Sequence, residues 1–281
     1  MKQDTAVVVT GATTGIGAAT AITLAMSGTI VFAGVRTDAD ANRLAEQHPN
    51  VRPVRLDVTD ATSIAGAAET VRAAGVRLSG LVNNAGIVIA GPLEFVSEAE
   101  LRTQFDVNVV GQIAVTQAFL PQLRETRGRI VFVGSISGRI AMPFIAPYSA
   151  SKFALRALAD ALRLELEPDG IAVSLIEPGS VKTPIWRKGR DLLYHPRWRA
   201  LPERYQDVIR VLLEQSEREE RSGIPPEAVT RAITDALYSR HPRPNYLVGV
   251  TARLGGTVVP LLPTRWRDNI FRKAMRLGGR K

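Results

Sequence analysis

Val7-Val8-Val9-Thr10-Gly11-Ala12-Thr13-Thr14-Gly15-Ile16-Gly17 decides how this chain is read. A β-branched run gives way to three glycines at i, i+4 and i+6, and an Ala-rich helical pattern begins directly behind them. Glycine tolerates positive φ and, lacking Cβ, lets another group approach the backbone. A helix start presents free N–H groups and the positive end of its dipole, which suits a diphosphate. Alone, such a trio also makes a tight strand-to-helix turn without a ligand. Its place after the first strand and before a helix makes it a phosphate loop.

Outward from this loop, short β-branched runs recur at 6–10, 29–35, 51–56, 79–82, 129–134 and 171–177. Helical patterns lie between them: Ala18 to Ser27, Ala39 to Gln47, Ser63 to Ala74, Glu98 to Leu123 and Ser149 to Leu166. Strands that are apolar throughout, alternating with helices, predict an α/β fold: a Rossmann-type doubly wound parallel sheet with helices on both faces. After Pro178 the texture changes to an aromatic, Arg-rich loop or short helical insertion at 184–200, two helical stretches at about 202–221 and 226–239, and a last strand from Tyr246 to Val250. The expected organisation is one domain over 1–250, with substrate-loop helices at about 184–239, and a C-terminal extension over 251–281.

Composition narrows the chemistry. The 281 residues are 45% apolar, enough for a full core, and contain no cysteine, which excludes disulfides and thiolate chemistry. His48, His195 and His241 are scattered, so no metal centre is expected. No apolar stretch reaches the length of a membrane span, and the short N-terminal run reads as a strand rather than a signal peptide. A cytoplasmic location is expected, with membrane association left open. The formal charge of +9 belongs to the tail: from Arg240 to Lys281 there are ten Lys or Arg against one acid, Asp268.

A second group of residues carries reactive chemistry. Tyr148 and Lys152 stand at i, i+4 on one predicted helix face, and Ser135 follows a strand thirteen residues before Tyr148. A phenol near pKa ~10 is a poor acid or base at neutral pH. An ammonium one turn away is expected to lower that value, while a serine hydroxyl can donate to an oxygen on which charge grows. A Tyr-x-x-x-Lys pair by itself is usually a solvated surface pair; Ser135 and the glycine loop set this one apart.

Thr-Gly-x-x-x-Gly-x-Gly at 10–17, Asn83-Asn84-Ala85-Gly86, Ser135, Tyr148 and Lys152 together resemble the short-chain dehydrogenase/reductase superfamily, closely over about residues 5 to 185. The resemblance implies an oxidoreductase of the CH–OH class that interconverts an alcohol and its ketone or aldehyde by hydride transfer. Asn108, Ser135, Tyr148 and Lys152 would be its catalytic set, with Asn108 holding a water that links Lys152 to solvent. It further implies a dinucleotide on Gly11, Thr13, Thr14, Gly15, Ile16 and Gly17. Asp57 and Val58 would meet the adenine, and Asn84, Ala85 and Gly86 would border the cofactor. Tyr148 and Lys152 would touch it as well. Pro178, Gly179, Val181 and Thr183 would surround the nicotinamide. One departure is Gly134, where many relatives carry a second serine.

At the end of the second strand Gly34 stands where an NAD-preferring site places an acid, and Arg36 follows, able to clamp a 2′-phosphate. NADP(H) is therefore expected over NAD(H), although Asp38 and Asp40 nearby keep NAD(H) open. Ile176-Glu177-Pro178-Gly179 and Asp106-Val107-Asn108 look like the branch of retinol and 17β-hydroxysteroid dehydrogenases, which implies a bulky apolar substrate. Ile87, Met142, Phe144 and Trp186, with Val88 and Leu193, are the candidate lining. The segment 246–276 has three readings: a cover for the substrate cleft or a subunit interface, a peripheral membrane contact, or, least favoured, a nucleic-acid surface. A homodimer or homotetramer is implied by resemblance. Two other functional classes stay open: a non-catalytic NADP(H)-sensing protein, and a scaffold docked to a membrane or partner.

Overall fold

The structure is a computed structural model that describes residues 5–196, 198, 201–275 and 277. Seven parallel strands form one sheet: β1 (Thr5–Val9), β2 (Ile30–Val35), β3 (Val51–Arg55), β4 (Arg77–Asn83), β5 (Arg129–Val133), β6 (Ala172–Pro178) and β7 (Asn245–Val248). Their order is β3-β2-β1-β4-β5-β6-β7, so the chain reverses its direction of travel across the sheet between β1 and β4. Loops that leave the carboxyl ends of those two strands diverge and open a crevice, the usual ligand position in this architecture.

Both faces of the sheet are covered. On one lie α1 (Gly15–Met26), α2 (Asp38–Ala45) and α9 (Pro226–Tyr238), which bury Leu24, Leu44, Val229 and Ile233 against Val7, Val31 and Val131. On the other lie α3 (Ala61–Ala73), α5 (Gly111–Thr126) and α6 (Ala146–Glu165), with Ile64, Phe119 and Leu155 packed on Val8, Phe32 and Ile130. The inner strands β1, β2, β5 and β6 are sandwiched this way and are apolar almost without alternation, whereas the edge strand β3 exposes Arg52 and Arg55 beside buried Val51 and Val54.

Two expected elements differ. The helix expected from Glu98 to Leu123 is α4 (Glu98–Phe105), a π-helical turn over Asp106–Val110, and then α5. Gly111 allows this approach: a Cβ there would lie 2.4 Å from the Val58 carbonyl oxygen. The last strand ends at Val248, because Gly249 takes φ +96° and turns the chain into α10 (Val250–Val258). The tail then continues through α11 (Thr264–Ala274) and returns, so that Met275 is buried with Leu193, Trp198, Val208, Ile209 and Leu212 in a small third core. That core includes residues of α7 (Ile185–Leu193) and α8 (Glu203–Ser222), the two helices over the crevice.

Candidate active site

The glycine loop is held by the end of β4. Thr10 Oγ1 accepts from the backbone N–H groups of Asn84 and Ala85, both at 2.9 Å. Asn84 Nδ2 returns two bonds, to the carbonyls of Thr10 (2.9 Å) and Gly11 (3.1 Å). Gly11 and Gly15 adopt φ +61° and +58°, and a Cβ on Gly17 would sit 2.3 Å from the Gly11 oxygen. Gly17 is thus required by the close approach of helix to loop, and unlike Gly11 and Gly15 it does not line the cavity. Thr14, the residue before α1, makes no side-chain cap hydrogen bond, and the first turn holds no acid. The N–H groups at this helix start are left for an anion, which is the chemistry a diphosphate needs.

One continuous cavity runs from this loop. Thr13, Thr14 and Ile16 open it; Arg36, Asp57 and Val58 stand on one side; Asn84, Ala85 and Gly86 lie across the β1–β4 divergence. Farther along come Ser135, Tyr148 and Lys152, and then Pro178, Gly179, Val181 and Thr183. These residues are brought together from most of the chain, and they fit an extended dinucleotide in shape and in donor chemistry. Burial pushes the Asp57 carboxyl up, but hydrogen bonds from Thr59 N–H (3.0 Å) and Oγ1 (2.7 Å), with Arg36 and Arg55 nearby, outweigh it and hold the group below its ordinary value. The cap of α3 is Asp60, which accepts from Thr62 and Ser63 N–H. Asp40 accepts from Arg43 (2.7 Å) and from the Thr37 hydroxyl (2.9 Å). Its charge is therefore already answered beside Arg36.

Around the reacting end, Ser135 closes β5 and starts a short 3-10 turn by accepting the Ser137 N–H at 3.1 Å. Its hydroxyl also bonds Tyr148. Lys152, one turn along α6, is almost fully buried, donates to the Val133 carbonyl at 2.9 Å, and lies 5.8 Å from the centre of the Tyr148 ring. Burial drives the lysine down to about 8. Burial also raises the Tyr148 phenol, and the Ser135 hydrogen bond offsets only part of that. The expected acidification of Tyr148 by its neighbour is not what this geometry gives. The phenol's own loss of solvent outweighs whatever a nearby ammonium, directed at the Val133 carbonyl, can offer it.

Asn108 lies behind the wall and not on it. Its Oδ1 accepts Ile87 N–H (2.9 Å), and its Nδ2 donates to the Ile87 carbonyl (3.0 Å) and Ser151 Oγ (3.1 Å). Both amide protons are spent on protein, so the side chain acts first as a clamp. Gln104, one turn earlier, grips the same segment through Ile89 N–H (2.7 Å) and the Ile87 carbonyl (2.9 Å). Gln104 was not anticipated; two amides at i, i+4 in an otherwise ordinary helix were the available signal.

The far end of the cavity is lined by Ile87, Val88, Met142, Trp186 and Leu193, together with Leu212 and Met275. Trp186 is fixed by its indole N–H, which donates to the Val181 carbonyl at 2.8 Å. Phe144 is not on this wall. It sits at φ +66° and packs with the third core. A polar strip completes the cavity, where Arg190 is paired with Glu220 and donates to Ser216 at 3.3 Å.

Comparison with known proteins agrees with this geometry. The family model described as short chain dehydrogenase matches residues 5–192. The chain is 34% identical to an NADPH-dependent 3-dehydrocapnine reductase of Ornithobacterium rhinotracheale, over 96% of each protein. It is 36% identical to 17-beta-hydroxysteroid dehydrogenase type 6 of Bos taurus, over 97% of this chain and 89% of that one. Among solved structures, a short-chain dehydrogenase from Streptomyces avermitilis superposes with a TM-score of 0.79 at 27% identity, covering 98% of both chains. The protein belongs to the short-chain dehydrogenase family, in the branch that includes the retinol and 17-beta-hydroxysteroid dehydrogenases. Its class is that of an oxidoreductase acting on alcohol and carbonyl groups.

Proposed function

We propose that the protein is an NADP(H)-dependent carbonyl reductase or alcohol dehydrogenase for a bulky, largely apolar substrate, with Tyr148 as its acid and base. One observation carries this reading: Ser135, Tyr148 and Lys152 face the same cavity that begins at the uncapped start of α1. NADPH, when bound, supplies the hydride. The Ser135 and Tyr148 hydroxyls donate to the substrate oxygen and polarise the carbonyl, and Tyr148 gives its proton to the oxygen as charge develops there. Lys152 would hold the cofactor's ribose end when it is bound and, through its ammonium, would ease the loss of the Tyr148 proton. Thr183 and the Pro178-Gly179 turn would hold the carboxamide end of the bound cofactor. Asn108 keeps Ile87 and its neighbours in place as part of the wall.

Support for NADP(H) over NAD(H) comes from Arg36 on the cavity and from Asp40, whose charge is engaged by Arg43. The NADPH-dependent relative points the same way. Ile87, Met142, Leu193, Leu212 and Met275 support an apolar substrate.

We further infer a peripheral membrane contact through the tail. Val250, Leu254 and Val258 form one exposed stripe on α10, continued by Leu261 and by Trp266 and Ile270 on α11. Arg253, Arg265, Arg272 and Lys273 are exposed beside them, a pairing suited to an anionic lipid surface. Among the described residues no helix is long and apolar enough to cross a membrane.

The functional test is a panel of steroids, retinoids, acyl ketones and sugars with the purified protein, followed by loss of NADPH absorbance. Turnover of apolar ketones with NADPH, at roughly ten times or more the efficiency with NADH, is expected. Tight NADPH binding without turnover of any carbonyl would instead favour a sensing role.

A further inference from the structure

Glu177 is completely buried at the carboxyl end of β6, one residue before the Pro178-Gly179 turn, and the reaction as described makes no use of it. Two guanidinium groups hold it. Arg139 makes a two-pronged contact, Nε to Oε1 at 2.8 Å and Nη2 to Oε2 at 2.6 Å. Arg156 adds a bond from Nη1 to Oε1 at 3.3 Å. A carboxylate without solvent is tolerable only when its partners satisfy it, and this one is answered by charges from two separate segments.

Those segments are the ones that carry the site. Arg139 ends the 3-10 turn that Ser135 begins. Arg156 lies one helical turn beyond Lys152 on α6. The turn and the helix already touch, since a Cβ on Gly138 would lie 2.7 Å from the Lys152 carbonyl oxygen. Glu177 itself belongs to the strand that leads into Gly179 and Thr183. One buried carboxylate thus joins the Ser135 turn, the Tyr148–Lys152 helix and the loop expected beside the nicotinamide.

We infer that Glu177, through Arg139 and Arg156, is a positioning residue that fixes the proton-donating pair against the ring-holding loop. It touches neither substrate nor cofactor. Its contribution is registry: Ser135, Tyr148 and the 178–183 loop move as one body. Hydride transfer needs reacting atoms placed to within fractions of an ångström, so loosening this joint costs turnover far more than binding. The inference rests on the proposed dehydrogenase site, but its first test does not depend on activity.

Glu177→Gln keeps shape and removes the charge. Hydrogen exchange read by mass spectrometry is expected to speed up at least several-fold in 134–139, in the first turns of α6 and in 178–183, while β1, β2 and α1 stay unchanged. NADPH affinity, read by fluorescence, is expected within about threefold of wild type, since the phosphate loop lies outside the joint. On any carbonyl the wild type turns over, kcat should fall about tenfold or more with KM little changed, and the isotope effect with deuterated NADPH should rise. Should Glu177→Gln fail to fold, Arg139→Lys, which keeps the charge and loses the fork, is expected to show the same local pattern in weaker form. Exchange that rises uniformly through the sheet, or stays as in the wild type in all three segments, would overturn the inference. If the three segments loosen but no carbonyl is reduced even by the wild-type protein, the joint stands and the proposed reaction is what has failed.

Discussion

At the scale of single residues, two ionisations are set against each other by the same burial. Lys152 is brought down to about 8, while Tyr148 is raised above the ordinary phenol value. At neutral pH the lysine therefore still carries most of its charge, falling to about half near 8, and the tyrosine still carries its proton, which is the combination a reductase needs. Above about 8 the lysine loses its proton while the tyrosine keeps its own. The expected outcome is a kcat/KM for ketone reduction that is level up to pH about 8 and then falls about tenfold per unit, with the limb reporting the lysine. Lys152→Arg, which stays charged throughout, should remove that limb whatever its effect on the plateau. A profile that runs flat to pH 10 in the wild type would mean that the ammonium is not required.

At the scale of elements, the legible parts were those in which local chemistry and tertiary role coincide. Thr10 to Gly17 announces its turn because Gly11 and Gly15 take positive φ and Gly17 packs on the Gly11 carbonyl, and the inner strands announce themselves because both their faces are buried. The Tyr148–Lys152 pair was legible as a helix face, since α6 begins just ahead of it with a proline in its first turn. The π-helical turn at Asp106–Val110 was not legible. Nothing in the composition of that stretch disfavours an α-helix; the extra residue is tied to long-range bonds, those of Asn108 with Ile87 and Ser151, and to the contact of Gly111 with Val58. The direction of the Tyr148 shift was missed for a related reason. Spacing on a helix says that an amine is near, but only the fold says that the amine is buried and turned to the Val133 carbonyl. Phe144, likewise, reads as lining by its hydrophobicity, yet a left-handed backbone takes it into the third core.

At the scale of the whole molecule, the tail has two faces with different surroundings. One returns inward, where Met275 closes the small core and reaches the cavity. The other leaves a stripe of apolar side chains among arginines. The sequence showed the mixture of charge and apolar residues but not this division, because the separation of faces depends on where α10 and α11 begin. With lipid vesicles containing about a third phosphatidylserine, the protein is expected to co-sediment, and to be released by salt as arginine–lipid attraction is screened. Leu254→Glu with Trp266→Glu, both fully on the outer stripe, should abolish sedimentation with turnover of a water-soluble ketone preserved. Equal sedimentation of the double variant would show that the stripe does not meet lipid. The deepest dependence of the account lies elsewhere, in the step at which Tyr148 passes its proton. Single-turnover oxidation of bound NADPH by a saturating ketone, followed in wild type and Tyr148→Phe with NADPH affinity measured alongside, tests it most directly. The account predicts unchanged NADPH affinity and a rate of hydride transfer lower by about two to four orders of magnitude in the variant; equal rates in the two proteins would contradict it.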